Sequence, residues 1–293
     1  MTALAPSPAK ESPPVGIRGL PDPEAVLAAA ERENFPVALR ILPRRERRDL
    51  EAIYGYARLV DQIGDAAPGD RLALLDWLAD DVARLYDGRA EHPLLQRLAP
   101  LVEHAAPPQK LFSDLVEANR RDQSVTSYET FDQLVDYCRY SANPVGRLVL
   151  YAFGAATPER LAASDSVCTA LQLAEHWQDV AEDRRMGRIY LPADERSRFG
   201  VSRADLDASS AGESLRRLLA FEVDRARELL APGVGLVRSL KGRQRLAIAG
   251  YVGGGHAALD AIAAAAFDPM AGAPKASKRE QFLAARRVLR EAR

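Results

Sequence analysis

Apolar residues recur three and four positions apart over long stretches of the chain, and strand-like alternation is scarce. That spacing turns one stripe of a helix toward a core. The pattern predicts helices near residues 23–33, 44–64, 70–86, 91–103, 108–121, 129–153, 158–186, 213–231, 234–265 and 277–291. Breaks are expected at "APGD" (67–70), "HP" (92–93), "APP" (106–108), "ATPE" (156–159), "LPADERSRFGVS" (191–202) and "APG" (231–233). Proline there removes a backbone donor and glycine relaxes the chain. With no repeat at a fixed period, a solenoid is not expected, and the fold class is all-α.

Two of these segments carry more acid than a core helix should. In "QLAEHWQDVAED" (172–183), a helix places His176, Asp179 and Asp183 within about 40° of Gln172 and Glu175 within about 60°. Leu173, Ala174, Trp177 and Ala181 take the other side. Solvent exposure is the ordinary reading of such a face. Solvated faces, however, mix charge signs one turn apart, whereas Asp179 and Asp183 repel at that spacing. Upstream, "YGYARLVDQIGD" (54–65) repeats the arrangement: Tyr54, Arg58, Asp61 and Asp65 share one face, while Ala52, Tyr56, Leu59 and Ile63 share the other.

Two such stripes, 118 residues apart from Asp61 to Asp179, are better explained as opposing walls of one cavity. Facing carboxylates are costly unless cations sit between them. Oxygen ligands without a His or Cys cluster point to Mg²⁺, which joins a few carboxylates to substrate phosphates. Arg58, Arg184, Arg185 and Arg188 are then placed to take diphosphate oxygens.

Composition narrows the class. The 293 residues are 47% hydrophobic and 28% charged, typical of a soluble globular protein, and net charge is -1, so nucleic acid is not an expected partner. Cys138 and Cys168 suit a reducing compartment and read as packing groups. Six of the 19 prolines fall in the first 23 residues, which lack the features of a secretory signal, and residues 1–22 read as a disordered tail. No run of eighteen apolar residues occurs, and "AALDAIAAAAF" (257–267) reads as a buried helix. The basic segment 268–293, with Phe282, Leu283, Val288 and Leu289 interleaved, reads as a membrane-surface helix, a solvated helix or a frayed tail.

Three stretches together resemble the squalene/phytoene synthase family of head-to-head prenyl-diphosphate synthases. They are "NFPVALRILPRRERRDLEAIYGYARLVDQIGD" (34–65), "YCRYSANPVGRLVL" (137–150) and "LQLAEHWQDVAEDRRMGRIYLP" (171–192). The resemblance implies an isoprenoid-synthase helical bundle around a central cavity, with residues 23–267 as the catalytic domain. It implies Mg²⁺ and diphosphate binding by Asp61/Asp65 and Asp179/Asp183. It also implies roles for Arg58 and Gln172, and for Tyr140 beside the cationic intermediates. Phe35, Tyr54, Asn143, Arg184, Arg188 and Tyr190 are the further substrate-binding candidates.

Departures from the family pattern point to its hydroxysqualene synthase branch, in hopanoid biosynthesis. Glu33-Asn34-Phe35 stands where many relatives have a lysine-containing "KSF", Glu175 where they have Asn, and Gly255 where a tyrosine is common. Enzymes of that branch take presqualene diphosphate, expel diphosphate and capture the cation with water, without NADPH. Presqualene diphosphate synthase and hydroxysqualene reductase would be pathway partners. Glu175 and His176 would orient the water, or else serve as a metal or arginine partner and a wall residue. The expected location is cytoplasmic, either free or peripheral on the inner face of the membrane. Condensation of two prenyl diphosphates and a non-catalytic assembly role remain as alternatives. Asn119 and Asp122 read as cavity residues or a surface helix end, His92 and His104 as surface residues. Arg139 and Arg147 read as diphosphate ligands or partners of nearby acids, and "GGG" (253–255) as a site of close helix packing.

Overall fold

The computed structural model describes residues 19–30 and 41–293. Helix α1 (Pro23–Ala30) packs against α2 (Arg44–Ala66). On α2, Leu50, Ile53, Tyr56, Leu59, Val60 and Ile63 are buried at helical spacing, which leaves Tyr54, Arg58, Asp61 and Asp65 on another face. Next come α3 (Arg71–Tyr86), α4 (Pro93–Gln96), α5 (Ala99–Ala105) and α6 (Lys110–Arg121). The Asp70 carboxylate caps α3 by accepting from Ala73 N at 3.0 Å. Tyr56 donates to Phe112 O at 2.8 Å, tying α2 to α6 through the core.

The second half holds α7 (Phe131–Ser141), α8 (Asn143–Ala152), α9 (Pro158–Gln178), α10 (Val180–Arg185) and α11 (Ala193–Phe199). It closes with α12 (Glu213–Leu230), α13 (Pro232–Ser239), α14 (Gly242–Ala264) and α15 (Lys278–Glu291). Helix α9 is the hub, packed on α7, α8, α12, α13 and α14, and Trp177 is fully buried there. The described residues contain no strand, only one isolated parallel bridge between Ser127 and Ile189. The fold is all-α, as the periodicity predicts.

Several expected helices are split. Residues 91–103 divide into α4 and α5, with Pro100 unable to continue the backbone ladder into the first turn of α5. The helix expected over 129–153 breaks at Ala142, just before Pro144 opens α8. The one expected over 158–186 breaks at Asp179 (φ −104, ψ 17). The one over 234–265 breaks at Leu240, which is extended, and α14 restarts at Gly242 (φ 54). Conversely, the expected break 191–202 contains α11. Of the first expected helix, residues 31–33 lie outside the described residues, as do residues 1–18 of the expected tail.

Helix α14 is long and apolar enough to cross a bilayer, the one such helix among the described residues, but half of its most apolar stretch is buried in the bundle. It packs on α9, α12, α13 and α15, as a core helix does. A Cβ on Gly253 would lie 2.4 Å from Ala285 N, so α15 approaches this closely only because that side chain is missing. Residues 268–293 are therefore no loose appendage: Ala284 and Val288 are buried against the bundle.

Candidate active site

A second missing side chain shapes the first acidic wall. A Cβ on Gly64 would fall 2.1 Å from Asn119 Oδ1. Without it, Asn119 of α6 reaches α2 and donates to Asp61 Oδ1 at 3.3 Å, while Gln123 donates to Gly64 O at 3.0 Å. Asp61 keeps open surface. Even so, its carboxyl is pushed up to about 6, chiefly by burial, with Asn119 opposing, Asp65 adding and Arg58 opposing. Asp61 thus combines an open surface with a carboxylate held against Asn119 and beside Asp65 and Arg58.

The second wall is bent at Asp179. The i,i+4 bond survives the break, because Asp183 N donates to Asp179 O at 2.8 Å. The two aspartates stay one turn apart. Asp183 is pushed up to about 7, first by burial and then by Asp179, with Glu175 and Glu182 adding and Arg188 opposing. Asp179 is raised by burial and Glu182, and Lys275 opposes.

Arg188 joins the walls. Its Nη2 donates to Asp65 Oδ1 at 3.0 Å, 123 residues away in sequence, and its charge acts on Asp122 and Asp183. It is held there by backbone pairing: Ile189 N donates to Thr126 O at 2.8 Å and Ala193 N to Tyr128 O at 2.9 Å. The segment after α10 thus runs alongside the loop before α7. Tyr190, two residues on from Arg188, stacks on His176 with ring centroids 3.6 Å apart and planes 13° from parallel.

His176 is held as a neutral imidazole, its pKa lowered to about 3 by burial and by Arg188. Gln172 Nε2 lies 3.3 Å from His176 Nε2. With the amide donating, the ring proton sits on Nδ1, toward Asp183 Oδ2 at 3.9 Å. Tyr128, Tyr137 and Tyr190 complete an aromatic group beside it, with centroids 5.5–6.1 Å apart. Tyr137 donates to Asp122 Oδ2 at 2.8 Å, and burial pushes Asp122 up to about 6 even though Tyr137 and Arg188 favour its charged form.

The structure thus gathers Arg58, Asp61, Asp65, Gln172, Glu175, His176, Asp179, Asp183, Arg188 and Tyr190. Tyr54 is half-buried on the same face of α2 as Arg58. Tyr140 is not in this group. Its ring lies under the guanidinium of Arg121 at 3.8 Å, with Lys110 at 5.4 Å, because α7 turns that position toward the outer side of α6. Tyr137, which the sequence reading missed, holds the inward position. Two further candidates have other partners. Asn143 Oδ1 accepts from Thr169 at 3.0 Å inside the α8–α9 packing, and Arg184 makes a two-point pair with Asp207 at 2.8 and 3.0 Å. Phe35 lies outside the described residues.

Other expectations divide. Asn119 and Asp122 belong with the acidic cluster. Arg147 pairs with Asp165 and Arg139 with Asp136, so both meet nearby acids. His92 is buried rather than on the surface, because its ring nitrogen caps Leu94 N at 3.2 Å. His104 is at the surface, as expected, with its ring 3.0 Å from Asp49. Burial pushes the Cys138 and Cys168 thiols up to about 12 and about 11, which suits inert packing groups.

Against known proteins, the sequence matches squalene/phytoene synthase over residues 28–286. It is 35% identical to a hydroxysqualene synthase of Sinorhizobium fredii, covering 73% of each chain. It is 33% identical to a phytoene synthase of Mycobacterium bovis, covering 78% of this chain and 77% of that one. The crystal structure of squalene synthase HpnC from Alicyclobacillus acidocaldarius superposes with a TM-score of 0.77 at 39% identity, over 84% of this chain and 95% of that one. This chain belongs to the squalene/phytoene synthase family of enzymes, on its hydroxysqualene synthase branch.

Proposed function

We propose that this enzyme converts presqualene diphosphate to hydroxysqualene. The carbon–oxygen bond to diphosphate breaks with its electron pair leaving on diphosphate, the cyclopropylcarbinyl cation rearranges, and water adds to the cation and gives up a proton. Three hydroxysqualene synthases at 35–36% identity support the choice of substrate. The observation that carries the site is the placement of Arg188, paired with Asp65 and acting on Asp183, between the two acidic stripes.

Arg188 and Arg58 would receive diphosphate oxygens as charge builds on them. The donor set suits Mg²⁺. Among the described residues no three His, Cys, Asp or Glu side chains form a ready metal cage. Each stripe instead offers an aspartate pair, and Mg²⁺ is commonly held by one or two carboxylates plus water and phosphate oxygens. Asp61 and Asp183, pushed up to about 6 and about 7, are crowded carboxylates that a divalent cation would relieve. When bound by Asp61, Asp65, Asp179 and Asp183, Mg²⁺ would neutralise the departing diphosphate.

The aromatic faces of Tyr137 and Tyr190 would stabilise the cation. His176, fixed by Gln172 and neutral, would orient water together with Glu175, whose carboxylate takes the proton. Such a reaction needs a condensing enzyme, presqualene diphosphate synthase, upstream and hydroxysqualene reductase downstream, working in the cytoplasm.

The test is product analysis with purified protein. Presqualene diphosphate plus Mg²⁺ should yield hydroxysqualene and free diphosphate, and chelator should stop both. Diphosphate release from farnesyl diphosphate but not from presqualene diphosphate would overturn the assignment in favour of condensation. Unchanged hydroxysqualene output by Glu175→Gln would remove Glu175 from water delivery.

A further inference from the structure

Helix α15 is built to be a stable surface element. Ser277 and Glu280 form a reciprocal capping box at its start, and Ala284, Val288 and Ala292 bury its inner side. At about 100° per residue, Phe282, Arg286, Arg279, Arg290 and Leu283 fall in order within a sector about 100° wide on the outer side. No acid falls in that sector; Glu280 and Glu291 lie beyond it, toward the packed side. Phe282 is 62% exposed and Leu283 50% exposed. Residues 275–293 carry seven Lys or Arg against two Glu, while the whole chain is at -1. Outside this segment the chain therefore carries a net charge of -6, and the segment itself carries +5.

The strap leading into α15 is fixed beside the candidate active site. Asp268 accepts from Ala211 N at 2.9 Å and from Arg216 at 2.6 Å. Gln178 donates to Pro274 O, and Lys275 acts on Asp179. The exposed apolar pair sits in the first turns of α15, the end that adjoins the second aspartate stripe.

We propose that the outer face of α15 docks on an anionic lipid bilayer, with Phe282 and Leu283 inserted among the acyl chains and Arg279, Arg286 and Arg290 on the lipid phosphates. Two large apolar side chains flanking a stripe of arginines match the chemistry of a charged membrane surface, and docking there explains why they stay uncovered on a helix that is otherwise well packed. Taken with the proposed function, the same face would keep the second aspartate stripe close to the layer that dissolves the apolar substrate and product. The benefit to substrate and product rests on the proposed reaction; the docking does not.

Vesicle sedimentation with the full chain tests the docking without turnover, so failure here and failure of the proposed reaction are told apart. The protein should bind vesicles containing roughly a third phosphatidylglycerol, bind phosphatidylcholine alone weakly, and release in high salt. Arg279→Gln/Arg286→Gln/Arg290→Gln should lower partitioning about a hundred-fold, from about five-fold per arginine. Phe282→Ser/Leu283→Ser should lower it at least about ten-fold. Both variants should keep the wild-type melting temperature, since these side chains are exposed. Equal binding to neutral and anionic vesicles, or variants that bind like wild type, would overturn the proposal. So would sedimentation velocity showing a dimer that Phe282→Ser/Leu283→Ser dissociates, because a second copy would then be what covers the face.

Discussion

Replacing Gly64 by alanine drives a methyl group into Asn119. The new Cβ would lie 2.1 Å from Asn119 Oδ1, 2.9 Å from its Cγ and 3.2 Å from its Cβ, so the amide must swing away and release Asp61. Overpacking of this kind costs about 1–3 kcal/mol, and a lost hydrogen bond to a charged group about 1.5–3 kcal/mol. Alanine's better helix propensity offsets about 1 kcal/mol. The net expectation is a loss of about 2–4 kcal/mol in urea unfolding. The decisive comparison is a double-mutant cycle with Asn119→Ala. Removing the amide leaves only the 3.2 Å contact with the β-carbon, so Gly64→Ala should then cost little. A coupling of about 2–3 kcal/mol between the two sites is expected. Gly64→Ala as stable as wild type, or additivity within about 0.5 kcal/mol, would refute the close approach of α6 to α2 at Asp61.

Two further outcomes are expected. Glu222 is fully buried beside Glu195 and Arg225, and burial together with the neighbouring carboxylate raises its pKa strongly, so the folded protein keeps a proton that the unfolded chain loses. Its stabilising contribution is full at acid pH and is lost as pH rises above the ordinary carboxylate range, so Glu222→Gln should raise Tm more at pH 8 than at pH 5; an equal effect at both would contradict this. Tyr137→Leu removes the ring face offered to the cation and should lower kcat about ten-fold, while Tyr140→Leu should stay within about two-fold; the reverse order in steady-state kinetics would contradict the inward placement of Tyr137.

The sequence made the acidic stripes legible because their i,i+4 repeat on α2 and α9–α10 is a local property of a helix. The boundaries of α2 and α3 follow equally from local signals, the apolar spacing and the Asp70 cap. Long-range choices were not legible. Tyr137 and Tyr140 lie three residues apart on nearly the same face, and only packing against α6 and α9 decides which ring meets His176. Arg184 lies in the last turn of α10 and Arg188 four residues on, in the segment that leaves it. The backbone pairing of 189–193 with 126–128 aims Arg188 at Asp65, whereas Arg184 meets Asp207. The break at Asp179 carries no proline or glycine and so had no local signal. The one at Ala142 had its signal in Pro144, which the apolar periodicity outweighed.

Whether the two stripes act as one site is tested most directly by calorimetric binding of inorganic diphosphate in the presence of Mg²⁺. Wild-type protein should bind it only when Mg²⁺ is present, and Asp61→Asn and Asp179→Asn should each abolish binding although the two residues are 118 positions apart. Retention of wild-type affinity by either variant, at unchanged melting temperature, would contradict a shared diphosphate site.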